Sequence, residues 1–242
     1  MVRLSVNVNK VATLRNARGG EVPDLLAAVR TILAAGCRGI TVHPRADERH
    51  IQRRDVVAIA AALAPLRDSV EYNVEGDPRP ELMDLVCELR PHQCTLVPVL
   101  PGEITSQAGW PASTSQTEIG AVVRRLQAHG IRVSMFVDPE PEPIRWAAAL
   151  GAERIELYTE PFARAFAAGH GEASLARYAE AAELAHGLGL GLNAGHDLDL
   201  DNLPLFGRLP HLDEVSIGHA LISRALFVGL DVVVREYLRA LA

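Results

Sequence analysis

Ionisable and amide side chains recur along this chain in one pattern: each closes, sits within or follows a short apolar run of the kind that forms strands. Asn7, Asn9 and Lys10 close LSVNVN. His43, Arg45 and then His50 follow GITVH, and Glu71 and Asn73 sit inside VEYNV. Glu103 and Thr105 follow TLVPV, Asp138 follows IRVSMFV, and Glu156 lies in RIELY. Asn193 and His196 close the seventh run, and Gly218-His219 follow EVSI. Histidine moves protons near neutral pH unaided. A carboxyl such as Glu71 or Glu156 does so once burial raises its pKa. Gathered in one place, these groups suit a reaction made of several proton transfers. A single buried ionisable group is ordinarily structural, because an unpartnered buried charge is costly. Three histidines and two glutamates at successive run ends form a different pattern, that of a site. His92, His129, His186 and His211 fall on or beside helical segments and read as surface; His170 falls in a loop.

A second signal concerns anions. NAGH (193–196) and IGHA (217–220) each put a Gly-His pair directly after a strand-like run. Glycine lets a backbone approach an anion closely, and the N–H groups and dipole of a following helix hold its charge. Arg15, Arg18 and Arg45 with His50 suggest another anion site, because the arginine fork fits phosphate oxygens. For Arg15 and Arg18 a solvated loop or an interface pair is an equal reading. Lys10 is the only lysine, so an imine-forming aldolase, a competing function, would have to use it.

The elements that must position these residues alternate. Strand patterns cover residues 4–9, 39–43, 70–74, 95–99, 131–137, 154–158, 189–194 and 214–217. Helical patterns, with apolar residues three and four apart, cover 24–35, 53–66, 80–89, 116–129, 142–150, 174–187, 201–209 and 223–241; a further helix fits 160–173. Strict alternation implies parallel strands and right-handed crossovers. Eight such units in 242 residues, with no GxGxxG after the first strand, predict an α/β fold, a (β/α)₈ TIM barrel with additional helices, over a doubly wound sheet. No linker composition interrupts the chain, so residues 1–242 read as one domain. In such a barrel the strand C-termini carry the chemistry, and the loops after strands 7 and 8 hold phosphate. Residues 101–115, rich in Gly, Pro, Ser and Thr, are expected to form a lid.

Composition removes several classes of function. With 24 Lys+Arg against 30 Asp+Glu the net charge is −6, which argues against a general nucleic-acid binder. No apolar run reaches membrane-spanning length. The opening MVRLSVNVNK alternates instead of presenting a signal-peptide block, and Cys37, Cys87 and Cys94 are too few for a disulfide framework or a zinc site. A cytosolic protein is expected. The apolar stretch ALFVGLDVVVREYL near the C-terminus fits either a subunit contact or a core-facing last helix.

Taken together, VNVNKVATLRNARGG, GITVHPRADERHI, VEYNVEG, LVPVLPGEIT, IELYTEPFA, LNAGHDL and SIGHALISRAL, in this order from end to end, resemble the pyridoxine 5′-phosphate synthase family. The resemblance implies a (β/α)₈ barrel that assembles as a homo-octamer in the cytoplasm and needs no metal or organic cofactor. It implies condensation of 1-deoxy-D-xylulose 5-phosphate with 3-amino-2-oxopropyl phosphate to pyridoxine 5′-phosphate, with release of phosphate and water. By resemblance His43 and Glu71 are proton acceptors, His196 is a proton donor, and Glu156 stabilises transition states. Asn7, Asp197, Gly218 and His219 contact the amino-ketone phosphate. Asn9, Lys10, Arg45, His50 and Thr105 contact the deoxyxylulose phosphate, and Arg18 is a further substrate-binding arginine. The chain departs from the family's better-known form at Asn9-Lys10, in place of Asp-His, and at Asp197, in place of Gly. The first change makes that corner more positive. The second leaves a backbone N–H for an anion, with the carboxylate expected to point away.

Overall fold

Eight parallel strands pair in sequence order and close on themselves, β1 hydrogen-bonding to both β2 and β8, in the computed structural model, which describes residues 2–99 and 106–242. The strands are β1 Arg3–Asn7, β2 Gly39–Val42, β3 Glu71–Gly76, β4 Gln93–Leu96, β5 Arg132–Val137, β6 Arg154–Tyr158, β7 Gly191–Gly195 and β8 Leu212–Ile217. The helices are α1 Asn9–Asn16, α2 Leu25–Ala34, α3 Arg53–Leu63, α4 Pro80–Leu89, α5 Gln116–Ala128, α6 Pro141–Ala149, α7 Glu160–Ala167, α8 Gly171–Gly187, α9 Leu203–Phe206, α10 His219–Val228 and α11 Leu230–Ala240. The barrel expected from the alternation is therefore the observed fold, with α1 and α7 among the extra helices.

Local chemistry sets the helix ends. The Asp24 side chain accepts the N–H of Leu26 at 2.9 Å to start α2, and Gln52 and Asp55 form a reciprocal capping box on α3. Proline stands in the first turn of α4, α6 and α7. The long last helix expected from periodicity is two helices: Gly229, at φ +94°, breaks it between α10 and α11.

Alternation along the strands divides the molecule. Val6, Ile40, Val74, Leu96, Met135, Ile155 and Val215 face outward and form one buried apolar cluster with the helices. The other face looks into the barrel and is polar. A belt of hydrogen bonds crosses four strands there: Ser5 to Thr41 at 2.7 Å, Asn73 to Thr41 at 3.5 Å, and Thr95 to Asn73 at 3.2 Å. Below it, at the N-terminal ends of the strands, Glu71 is bound by Arg3 at 2.9 Å and by Arg132. Above it the barrel opens.

Candidate active site

The strand C-termini surround a cavity of about 510 Å³. Asn7, Asn9 and Lys10 enter it from β1 and the start of α1. Asn7 Oδ1 accepts the N–H of Asn9 at 3.0 Å, and Asn9 Oδ1 accepts the N–H of His43 at 3.0 Å. The two asparagines thereby lock the end of β2 against the first turn of α1. His43 then lies beside a carboxylate on β3, its Nδ1 3.6 Å from Glu75 Oε2. Asn7 Nδ2 donates weakly to the same oxygen at 3.5 Å, and Ser216 Oγ donates to Oε1 at 3.4 Å. His43 Nε2 is buried and has no hydrogen-bond partner among the described residues. An orphaned polar atom costs about 1–3 kcal/mol.

Here the structure corrects the sequence reading. Glu71, expected as a proton acceptor, does not line the cavity. Glu71, Asn73 and Glu75 share the inward face of β3 but lie at three depths. Four residues of strand separate the first from the last by about 13 Å. Glu71 starts the strand and is consumed by Arg3 and Arg132 at the closed end, whereas Glu75 reaches the mouth. The missed signal was the continuation of the period-two pattern through VEYNVEG. Asn193 and Asn73, also read as strand-end candidates, are interior; Asn193 Oδ1 accepts from Arg154 at 2.6 Å.

Glu156 comes to the same floor from β6. Burial, then the charges of Glu75 and Glu214, holds its carboxyl well above the ordinary range. That upward shift favours the acid form, which can donate a proton. Its neighbour Gly195 on β7 has to lack a side chain, because a Cβ there would overlap Glu156 Oε1. The facing wall carries His196, packed on Phe136 and Tyr158 with ring centroids 5.7 and 5.2 Å apart. His196 and Asp197 both have left-handed backbone, φ +88° and +57°, at a cost of roughly 1–2 kcal/mol per non-glycine residue. The Asp197 carboxylate does not point away from the site. It lies 3.7 Å from His196 Nδ1, and that contact, followed by the charges of His196 and His219, holds its pKa below the usual range.

Two cationic or donor-rich corners flank β1. In one, Lys10, Arg45, Arg49 and His50 line the cavity. Burial, then the positive charges of His43, Lys10 and Arg45, pushes the His50 imidazole down to about 4. Its Nδ1 accepts the Ile51 N–H at 2.9 Å, so the neutral ring carries its proton on Nε2. In the other corner, Gly218, His219 and Ala220 form the N-terminus of α10, whose first N–H groups have no partner within the helix. Gly218 passes close under β1: a Cβ would stand 3.1 Å from the Asn7 carbonyl oxygen.

The remaining expected residues fall elsewhere. Arg18 is exposed in the turn after α1 and does not line the cavity. Arg15, offered as an anion ligand, is buried and bidentate on Asp55 at 2.6 and 2.8 Å. It still serves the site: it also binds Asn16 Oδ1, and Asn16 Nδ2 holds the His50 carbonyl at 2.7 Å, so the pair braces the loop carrying Arg45 and His50. Asp138 does not line the cavity either; its Oδ2 accepts the Gly109 N–H at 3.2 Å. Thr105 and Glu103, with the first part of the expected lid, lie outside the described residues. Ser106, the first described residue after them, lines the cavity. Among the described residues no cluster of three His, Cys, Asp or Glu side chains has metal-holding geometry, and no helix is long and apolar enough to cross a membrane.

Residues 4–242 match the family model described as "Pyridoxal phosphate biosynthesis protein PdxJ". The chain is 51% identical over 245 residues to a pyridoxine 5′-phosphate synthase of Porphyromonas gingivalis, covering all of both chains. It is 52% identical over 242 residues to the protein of that name in Flavobacterium johnsoniae, again over the full length of both. In fold alone it resembles a 3-keto-L-gulonate-6-phosphate decarboxylase from Vibrio cholerae, with a TM-score of 0.63 and 12% identity, covering 100% of this chain and 99% of the other.

Proposed function

The chain belongs to the family of the pyridoxal phosphate biosynthesis protein PdxJ, and from that premise we propose that it is a pyridoxine 5′-phosphate synthase. It condenses 1-deoxy-D-xylulose 5-phosphate with 3-amino-2-oxopropyl phosphate, releasing one phosphate and two waters as the pyridine ring closes. What supports this reading is His43, with Nδ1 beside Glu75 and a buried Nε2 that has no partner among the described residues, on the wall of a cavity with two donor-rich corners.

Each corner takes one phosphate. Lys10, Arg45 and His50 receive the phosphosugar, and His50 donates as a neutral imidazole. The N-terminus of α10, with Gly218 and His219, receives the amino-ketone phosphate, joined by Asn7 and the backbone of Asp197. Asn9 acts chiefly by fixing His43. The amine attacks the sugar ketone and water leaves as an imine forms. Removal of a carbon-bound proton by His43 or Glu75 gives the enamine, and phosphate is expelled against the cationic corner. A sugar hydroxyl also leaves as water, water adds where the phosphate departed, an aldol-type closure joins the remaining carbons, and a last dehydration completes the aromatic ring, so that three waters leave and one enters. His196, polarised by Asp197, donates protons from the opposite wall, and Glu156, whose acid form burial favours, holds developing negative charge from below. Alignment of two bound substrates contributes up to roughly 7–11 kcal/mol in the ideal case. Glu71 and Arg18 take no part within this chain's own cavity.

We further propose that residues 1–242 act as one domain in a cytoplasmic homo-octamer. Leu226, Phe227 and Val232 support the assembly: they stand exposed on α10 and α11, Phe227 at 88%, as one apolar patch that a second copy would cover. The test of the activity is formation of pyridoxine 5′-phosphate from the two purified substrates with stoichiometric release of phosphate. No product, with both substrates bound, would overturn it.

A further inference from the structure

The turn after β7 is the most constrained piece of backbone at the cavity. Two consecutive non-glycine residues, His196 and Asp197, adopt left-handed conformations there. Histidine and aspartate enter that region more readily than most side chains but still at a cost, and the turn is also held from outside. Two buried side chains that do not line the cavity do the holding. Thr159, fully buried at the end of β6, donates its hydroxyl proton to the Gly195 carbonyl at 2.6 Å and shares it with the His196 carbonyl, while its own N–H binds the Gly195 carbonyl at 3.0 Å. Asn202, 3% exposed, takes the next carbonyl: its Nδ2 donates to Asp197 at 3.1 Å, and its Oδ1 accepts the Asp199 N–H at 3.0 Å. Three successive carbonyls, 195 to 197, are thus tied by two side chains on either side of the turn.

We propose that Thr159 and Asn202 are positioning residues for the reaction: by clamping the carbonyls of Gly195, His196 and Asp197 they hold the strained turn that delivers the His196 imidazole to the cavity. Neither residue touches substrate. The clamp sets where His196 stands against Phe136 and Tyr158, and so whether its proton reaches the reacting atoms. The hydroxyl of Thr159 is the part that matters; its methyl only fills space.

The inference rests on the synthase reading of His196, and the unaltered enzyme in the same assay separates the two: absence of product there defeats the reading and not the clamp. Thr159→Val keeps shape and removes the donor. Its kcat is expected to fall about ten- to a hundredfold, as for a catalytic group displaced by a fraction of an ångström to one ångström, with both KM values within about threefold of the parent. Thr159→Ser restores the hydroxyl and should recover most of kcat. The imidazole signal of His196 in isotope-labelled enzyme should move in the valine variant and return in the serine variant. Asn202→Asp, which keeps the Oδ1 acceptor but sets a carboxylate oxygen where Nδ2 donated, should lower kcat as well, and carries the test if the valine variant does not fold. Parental kcat in Thr159→Val, a serine variant as impaired as the valine one, or raised KM with unchanged kcat would each overturn the proposal.

Discussion

The two ends of the barrel are equally rich in charge and use it oppositely. At the closed end Arg3 and Arg132 bind Glu71, Arg132 binds Gln93 at 2.9 Å, and Arg154 binds Asn193 at 2.6 Å. The bonding capacity of those groups is largely spent on one another, as expected of buried charge that serves only the fold. At the mouth, among the described residues, His43 keeps a buried nitrogen with no partner and Glu75 has only long contacts of 3.4 to 3.6 Å, while burial pushes the Glu156 carboxyl well above its ordinary range. Ionisable side chains inside a barrel therefore do not mark a site by their presence. What marks it is capacity left unused.

The sharpest way to break this contrast is His43→Asn. It removes the orphaned nitrogen's acid–base chemistry and should lower kcat by about 10²–10⁴-fold, measured as pyridoxine 5′-phosphate formation, while phosphate still binds. A smaller effect is expected at the rim. Lys10→Ala should raise KM for the phosphosugar by roughly tenfold with little change in kcat, and the penalty should shrink as salt is added. Titration of KM against ionic strength in both proteins checks this.

The smallest effect belongs to the closed end and concerns stability alone. Burial, then the neighbouring charge of Glu71, raises the Glu214 carboxyl from 4.5 to about 7, against the pull of Arg3, Arg154 and Arg132. Between those values the folded chain keeps a proton that the unfolded chain has lost. The stability tied to that proton is complete below pH 4.5 and disappears as pH climbs to about 7. Glu214→Gln, neutral throughout, should therefore melt above the parent at pH 8 and lose that advantage at pH 5. The gain should be on the order of 2–4 °C for each kcal/mol relieved.

Much of this was legible in the residues. The alternation yielded the barrel and its eight strands, and β6 was placed to the residue. His43, His50, His196, Glu156, Gly218 and His219, expected because strand ends concentrate polar side chains, all line the cavity. Depth was not legible. The period-two pattern told which face Glu71 and Asn73 occupy, but a strand begun one residue early and ended two early put the wrong glutamate at the mouth. Arg15 failed for another reason: its partner Asp55 is forty residues away, and no local pattern announces such a pair. The turn at His196 was hidden because its left-handed residues are not glycines, and the groups that hold it, Thr159 and Asn202, belong to other segments.

The contrast between the two ends is tested most directly on a single strand, by comparing kcat for Glu75→Gln and Glu71→Gln with parental enzyme at saturating substrates. The expected result is a loss of about 10²–10⁴-fold for Glu75→Gln and near-parental turnover, with a lowered melting temperature, for Glu71→Gln. Turnover that survives at Glu75 and collapses at Glu71 in a folded enzyme would contradict it.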